Sequence, residues 1–476
     1  MTILSKAYRA ILYFFTGALF KIPLGGGSTL DISLMILLLV PTGIFFMIRT
    51  KFMPVRMFPE MLRISVEKND KSEKKGSLSG LQALIVSTAT RVGMGNLVGV
   101  VAAVSAGGAG AVFWMWVMAI IGSSMAFVEA TLAQMHKEED PLYGGYRGGP
   151  AYYIHKLFAK GKKKSIMAVL FAISALICWF AISQVSSNSV TTMFESAFSF
   201  EIPRIVTVSV LAVIALFIVL RKNATVKVLD IVVPVMAVIY FALTIFVIIK
   251  NAGILPAVFK RIVEEAFGIR QIVGGGIGAV IMCGVQRGLF SNEAGSGSAP
   301  CAAAAADVSH PAKAGLFQTL GVLIDTIVIC TCTAMLLLTV PESTTAGLSG
   351  MGLLQAAMQH HFGKAGVIFI AVVLLLFSFS TFLGILFYAR SNVAYVFGDN
   401  WTSQTVYKLA ALAMFFVGGI MDPNFVWDFA DIGIGLMTIF NIIAILAMSK
   451  EAISSLDDYT RLMKERKLEK KANKQK

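Results

Sequence analysis

The sequence predicts an all-α polytopic membrane protein of eleven transmembrane helices, ten of them arranged as two inverted sets of five. Three observations carry this prediction. Of 476 residues, 57% are apolar and only 14% charged, whereas a soluble domain carries about a quarter charged residues. The apolar residues gather into runs of about 17 to 25, the length a helix needs to cross a hydrocarbon core of roughly 30 Å. Two of these runs are interrupted by glycines and small polar residues, at Thr90-Arg91-Val92-Gly93-Met94-Gly95-Asn96 and at Gly288-Leu289-Phe290-Ser291-Asn292-Glu293-Ala294-Gly295-Ser296-Gly297. Unpaired backbone groups cost several kcal/mol each in lipid, so broken helix is tolerated only against protein or a cavity.

Residues 5–20 read as an amphipathic helix lying in the interface, and 30–48 as the first span. A basic loop over 49–79 follows, with eight Lys/Arg. Then come 80–104, the first broken span, and 111–135, 164–193, 204–220 and 226–249. The second broken span covers 272–306, and the last four cover 313–340, 365–394, 407–420 and 425–448. Segments 253–267 and 346–362 are too short or too polar to cross and read as helices outside the bilayer core. The apolar stretch 11–20 lacks a following small-residue cleavage site, so it does not read as a signal peptide.

Basic residues set the orientation. With the C-terminal tail inside and eleven spans, 29 of the 41 Lys/Arg fall inside, nine outside and three within spans. This bias puts the N-terminus outside. Setting the first span aside leaves ten, with breaks in the first and sixth, and Asn96 and Asn292 lie 196 residues apart. An odd number of spans per set inverts the second set, which describes the LeuT-type architecture. The chain then divides into an N-terminal interfacial segment (1–29), an extra helix with its basic loop (30–79), a first repeat (80–250), a linker helix with the second repeat (251–448), and a basic cytoplasmic tail (449–476).

The net charge of +14 does not indicate nucleic acid, because the basic residues are spread over short loops and the tail instead of one module with stacking aromatics. Five cysteines lie in apolar segments without metal-ligand spacing and read as packing thiols. No His-Glu-x-x-His and no Gly-x-Ser-x-Gly elbow occurs, which argues against an intramembrane enzyme.

Chemistry concentrates at the breaks. Unwinding a helix frees N–H groups that attract a carboxylate and C=O groups that coordinate a cation. Gly93 and Gly95 permit the turn, and Asn96 offers a side-chain carbonyl. A glycine pair for tight helix packing is the competing reading, which the denser second break outweighs. Na⁺ needs several oxygens to replace its water, and Ser380 and Thr381 lie mid-span in the eighth core helix, placed to join carbonyls near Ala89 and Val92. Back-bonding to the preceding turn is the alternative for both hydroxyls. Gln184 makes the third core span polar at mid-depth and reads as facing substrate. Glu129 and Asp325 read as structural braces, Asp325 balancing an arginine.

These motifs resemble the alanine/glycine:cation symporter family, amino-acid transporters of the LeuT-type fold coupled to Na⁺ or sometimes H⁺. The most specific stretch runs from Gly288 through Ser298-Ala299-Pro300, then His310-Pro311 and Asp325-Thr326. Gly93, Gly95-Asn96, Phe113-Trp114-Met115-Trp116, Tyr143-Gly144-Gly145, Gly148-Gly149-Pro150 and Phe377 to Gly384 add to it. The resemblance implies a small neutral amino acid between the broken spans. Its carboxylate would face Met94, Gly95 and Asn96 with Arg91 close by. Its amino group and side chain would meet Gln184 and Phe290, Ser291, Asn292 and Glu293. Na⁺ would sit at Ala89, Val92, Ser380 and Thr381. Met94 replaces the family's threonine, Ile385 its tryptophan, and Ala389-Arg390 its Gly-Glu pair, which points beyond alanine and glycine toward glutamine. The expectation is therefore a Na⁺-coupled symporter of the cytoplasmic membrane working by alternating access, with no cofactor beyond the coupling ion and no nucleic-acid partner. Proton coupling through Glu293 or Asp325 is the first alternative, and an amino-acid sensor a more remote one.

Overall fold

A computed structural model describes residues 3–17, 19–25, 28–67, 77–197, 203–221, 224–269 and 276–474. Helix α1 (Ile3–Thr16) leads into a hairpin of β1 (Phe20–Gly25) and β2 (Ser28–Ile32). The hairpin was not expected. It moves the start of the next helix, α2 (Leu34–Arg49), to a point where Ser33 Oγ accepts the Ile36 N–H. Nor does α1 rest only on the interface. Phe15 is buried against Gly435, where a Cβ would lie 2.3 Å from its ring, and Tyr8 donates to Asp428 at 3.3 Å.

The predicted loop over 49–79 contains two short helices, α3 (Met53–Arg56) and α4 (Phe58–Val66), each opened by a proline in its first turn. The lysines of 68–76 lie outside the described residues. The first broken span is α5 (Gly80–Arg91) followed by a π-turn at Gly95–Gly99 and α6 (Val100–Gly107), bent by 49°. A capping box starts α5: Ser79 Oγ accepts from Gln82 N, and Gln82 Oε1 accepts from Ser79 N. Next come α7 (Gly110–Met135), the short β3 (Glu138–Glu139) and β4 (Tyr146–Arg147), α8 (Pro150–Phe158), α9 (Ile166–Ala197), α10 (Arg204–Val219) and α11 (Ala224–Lys250).

Helix α12 (Leu255–Ala266) is the expected helix outside the core, and Glu265 caps the start of α7 by accepting from Ala109 N at 2.6 Å. The second broken span is α13 (Gly276–Asn292) and α14 (Pro300–Ala304), and the beginning predicted for it, 272–275, lies outside the described residues. Then follow α15 (Pro311–Val322), a π-segment at Leu323–Cys330, α16 (Thr331–Leu338) and α17 (Glu342–Thr345). Helix α18 (Met351–Phe397) is divided at Gly363, whose φ of 63° separates the predicted short helix from the span. Helices α19 (Trp401–Gly418), α20 (Pro423–Ala447) and α21 (Ser449–Lys474) complete the chain.

Among the described residues, six helices are long and apolar enough to cross a membrane, and the bent pair α5–α6 makes a seventh. The core sits where α9 packs on α18 and on α20, with Trp179, Tyr388, Phe377 and Phe382 fully buried. Close approach is set by glycine: a Cβ on Gly418 of α19 would lie 2.3 Å from Gln184 Cα on α9. Small residues at such crossings let backbones meet and replace a hydrophobic drive that lipid removes.

The terminal helix α21 folds back on the loops. Tyr459 is 1% exposed, its hydroxyl donates to Glu60 Oε1 at 2.7 Å, and Arg63 clasps the same carboxylate at 2.6 Å. Burial alone raises the Glu60 carboxyl, but the bonds from Arg63 and Tyr459 outweigh it and hold it below the usual range. A depressed carboxyl stabilises the docked form above its unfolded value, and the contribution is lost as pH falls through the lower folded value. Tyr459→Phe should weaken docking by about 1–3 kcal/mol. Hydrogen exchange over α21 should rise in that variant at neutral pH, and in the wild type only under acid. Unchanged exchange in Tyr459→Phe would remove the contact from the docking account.

Candidate substrate and ion sites

Helix α5 ends because Val92 takes ψ 67°, outside the helical region, and the chain turns at Gly93. Two short bonds hold the turn: Gly93 N donates to Arg91 O at 2.7 Å, and Asn96 N to Gly93 O at 3.2 Å. Gly93 is required sterically. A Cβ there would lie 1.9 Å from Thr381 Oγ1 of α18, and one on Gly384 of α18 would lie 2.3 Å from Thr90 Cγ2 of α5. The two helices thus interlock, each lending a glycine to the other's threonine.

This interlock brings Ser380 and Thr381 of α18 to the end of α5, where Ala89 and Val92 lie. Ser380 Oγ reaches Ala89 O at 3.3 Å, and Thr381 Oγ1 presses on the turn beside Val92. Both hydroxyls sit 2.9 Å from Phe377 O. A hydroxyl that donates backward keeps its lone pairs free, so back-bonding and cation coordination are compatible here. The donor set is hydroxyls and carbonyls, the chemistry a hard cation selects.

The second break begins later than the motif suggested, since Gly288 to Asn292 remain helical. The chain leaves the helix at Glu293, with φ 55°, and passes Gly295 and Gly297 at φ 88° and 86°. Asn441 of α20 donates to Gly295 O at 3.0 Å and to Glu129 Oε1 at 2.9 Å, while Tyr153 donates to Asn441 Oδ1. Ser296 Oγ donates to Glu293 O at 2.7 Å. Glu129 is therefore a brace, as expected, acting on the second break.

Asp325 connects the two breaks. Asn96 Nδ2 donates to its Oδ1 at 2.8 Å, and Ser291 Oγ to its Oδ2 at 2.6 Å, with Thr326 Oγ1 at 3.0 Å. All of these are buried. The sequence reading paired Asp325 with an arginine. Its hydrogen bonds instead come from neutral donors on both broken helices.

Between the breaks lies a cavity of ≈ 20 Å³, room for about one water. Its walls are Thr90, Met94 and Gly95 from the first break, and Leu289, Phe290, Glu293, Ser296 and Ser298 from the second. Ile182, Thr381 and Ile434 complete it from α9, α18 and α20. Glu293 Oε2 is 3.4 Å from Thr90 Oγ1, which lies 2.6 Å from the Tyr388 hydroxyl. At one end Phe290 packs on Trp427 at 4.8 Å, and Arg287 stands 4.9 Å over that ring and 3.9 Å from Asp431. Elsewhere the start of the first broken span is tied to the stretch after the second: Leu78 and Ala306 form a parallel bridge, with Leu78 N donating to Ala305 O at 3.1 Å and Asp307 N to Leu78 O at 2.7 Å.

Of the predicted substrate residues, Met94, Gly95, Phe290 and Glu293 line the cavity and six do not. Arg91 turns to α15 and donates to Gln318 Oε1 at 2.9 Å. Asn96 and Ser291 are committed to Asp325, and Asn292 caps its own turn by accepting from Ala294 N at 3.0 Å. Gln184 faces α19, with Nε2 3.7 Å from Met414 Sδ. It serves helix contact where a substrate contact was expected. Ile385 is buried outside the cavity wall. Ile182 and Ile434 were missed because an isolated isoleucine in an apolar run carries no signal. The hydroxyls of Thr90, Ser296 and Ser298 stood beside the breaks, where polarity marked them.

The family model described as the sodium:alanine symporter family matches residues 26–474. The chain belongs to that family. It is 43% identical to a "Probable sodium/glutamine symporter" of Bacillus subtilis over 90% of this chain and 88% of the relative. It is 34% identical to a sodium/alanine symporter of Methanococcus maripaludis, over 90% and 95%. The solved structure of MhsT in complex with L-phenylalanine matches with TM-score 0.60 at 14% identity, covering 80% of this chain and 92% of that one. A manganese transporter of Eremococcus coleocola matches with TM-score 0.51 at 12% identity, over 82% and 81%. Both share the LeuT-type fold. This family member is accordingly a multi-pass membrane symporter with sodium as its coupling ion, and not an enzyme.

The interlock yields a test. Gly93→Ala should destabilise the protein by about 1–3 kcal/mol through overpacking, read as a lower unfolding temperature. Adding Thr381→Ala should restore stability without restoring sodium-dependent uptake. Restored uptake in the double variant would remove Thr381 from the ion site.

Proposed function

We propose that this symporter imports a small neutral amino acid in the range from alanine to glutamine together with Na⁺. The observation that carries the reading is the convergence of both breaks on one closed cavity, with the Ala89–Ser380–Thr381 oxygens immediately behind it. In this reading the substrate carboxylate meets the amides that open the Gly95–Gly99 turn, where a helix N-terminus favours negative charge. The ammonium group meets Glu293 and the hydroxyl of Thr90. The side chain lies among Ile182, Phe290, Ile434 and Met94, which suits a neutral group. Relatives named for glutamine and for alanine support the size range.

Ten core helices form two inverted sets of five, 80–250 and 251–448, preceded by the segment 1–79 and followed by the tail 449–476. The positive-inside bias supports an outside N-terminus and an inside tail in the cytoplasmic membrane. A cavity with room for about one water fits a contracted state without substrate, from which alternating access would open either end in turn. Coupling requires that each ligand favour one state over the other. Thr381, which touches both the cavity and the ion cluster, supplies the physical link.

Uptake of labelled alanine, glycine and glutamine into proteoliposomes, with and without a Na⁺ gradient, tests the reading. Sodium-dependent uptake of at least one is expected, and uptake driven only by a pH gradient would transfer the coupling to a proton. Gly95→Leu should abolish transport, because a Cβ at that position already lies 3.4 Å from Phe290 and Ser291. Met94→Ala should shift preference from alanine toward glutamine by about tenfold, the scale of a few methylenes in a pocket. No change in the glutamine-to-alanine ratio would take Met94 out of the specificity account.

A further inference from the structure

Helix α1 turns one stripe inward, Tyr8, Leu12, Phe15 and Thr16, at the spacing of successive helical turns. That stripe runs in step with α20. Tyr8 stacks on Phe425 at 5.8 Å and donates to Asp428 at 3.3 Å, and two turns further on Phe15 is buried against Gly435. Thr16, at the end of α1, lines a small hollow of ≈ 20 Å³ with Met35, Gln286 and Asp431. Leu289, Phe290 and Ile434 wall both this hollow and the transport cavity, so a single layer of side chains separates the two.

The same N-terminal stretch also grips α13. Strand β2 packs along that helix, and Leu39 of α2 fills the space beside Gly295, where a Cβ would lie 2.6 Å from its Cδ2. Between α13 and α20 stand the Phe290–Trp427 and Arg287–Asp431 contacts at this end of the cavity. The N-terminal stretch is therefore a strap across the seam, with α1 on one side and β2 on the other. Its hold on α20 is light. Ile11 and Phe14 on the outer face of α1 are 48% and 47% exposed, so one stripe of a 14-residue helix carries the contact. A helix so short has little stability apart from its packing, and elements with few buried contacts open most readily.

We propose that α1, with the hairpin behind it, is a lid on this end of the transport path and leaves α20 before α13 and α20 part to admit an amino acid. The lid rests on the assignment of the neighbouring cavity to transport and adds the element that controls access to it. Tyr8 and Phe15 are its two catches. One holds Asp428, a single turn from Asp431 of the seam, and the other fills the gap that Gly435 leaves in α20.

Two experiments on the full chain test the lid. In the first, Gln286→Cys reports on the hollow beneath it through reaction with a charged maleimide in nanodiscs, without substrate. The chain lacking that change gives the background from the five native cysteines. Adding Tyr8→Phe, which keeps the ring stack and removes only the hydroxyl, should speed labelling about tenfold, the scale of one hydrogen bond to a charged group. Phe15→Ala should speed it further. An unfolding temperature identifies any variant that has failed to fold, and an unchanged labelling rate in folded variants overturns the proposal.

The second experiment pins the lid. A Cβ on Gly435 would lie 2.9 Å from Phe15 Cγ, so Phe15→Cys with Gly435→Cys brings two Cβ atoms within the roughly 4.5 Å that a disulfide spans. Oxidation of this pair in proteoliposomes should abolish sodium-dependent uptake, and reduction should restore it. Full uptake after complete oxidation, checked by counting free thiols, overturns the lid. Absence of uptake by the unaltered chain would instead count against the transport assignment, and the labelling rates would still decide whether α1 covers the hollow.

Discussion

A single buried carboxylate joins the two places where this chain gives up helical hydrogen bonds. Asp325 accepts from Asn96 on the first broken helix and from Ser291 on the second. Without it, the two donors would keep only the weak acceptor Cys330 Sγ and, for Asn96, the Asp325 carbonyl, where losing a buried hydrogen bond to a charged group costs about 1–3 kcal/mol. Its position follows from backbone geometry, because the π-segment Leu323–Cys330 widens the helix where the carboxylate must reach two neighbours. Single-turn widenings of this kind recur at functional sites. On the opposite flank Asn441 and Glu129 do the same for the second break alone. The irregular backbone is thus held from both sides by side chains that never line the cavity.

On that frame, in the proposed reading, the contact between α5 and α18 would turn the substrate and ion sites into one device. The carbonyls of Ala89 and Val92 precede the first break, and Met94 and Gly95 follow it. A ligand on either side fixes the same few peptide units. Thr381 sits against Gly93 so closely that no side chain fits between them, and the same residue reaches the cavity wall. Coupling free energy between two sites must pass through an element that both bias, and in the proposed reading that element is the short stretch from Ala89 to Gly95. The apolar surroundings, from Phe377 to Ile182, keep the oxygens in a medium where their charge is weakly screened.

Much of this was legible from sequence alone. The breaks, the helices between them and the short helices that interrupt the spans follow from local composition and spacing, while the Ser380 contact with Ala89 followed from the expected architecture. What failed was direction around the helix. Arg91, Asn96, Gln184, Ser291 and Asn292 were rightly marked as unusual inside apolar runs, yet they face Gln318, Asp325, α19 and their own turn. Polarity in a span says that a partner exists, and only packing says whether that partner is ligand or protein. The hairpin at Phe20–Ile32 was missed for a different reason: its apolar residues continued the hydropathy of the following helix. Ile434 reaches the cavity from α20, where Trp427 also backs Phe290; both lie far along the chain, and nothing local announces them.

The bridge between Leu78 and Ala306 ties the start of the first broken span to the stretch that follows the second with main-chain groups alone. Its two hydrogen bonds belong to peptide units, whichever residues supply them. A latch made this way is nearly silent to side-chain replacement, since most substitutions leave its donors and acceptors in place. Scanning mutagenesis would therefore leave this tie all but unmarked on its map. What side chains add comes from the neighbours that hold the two segments, Ser79 and Gln82 at the start of α5 and Gln134 and Lys137, whose nitrogens hold the Ala306 carbonyl.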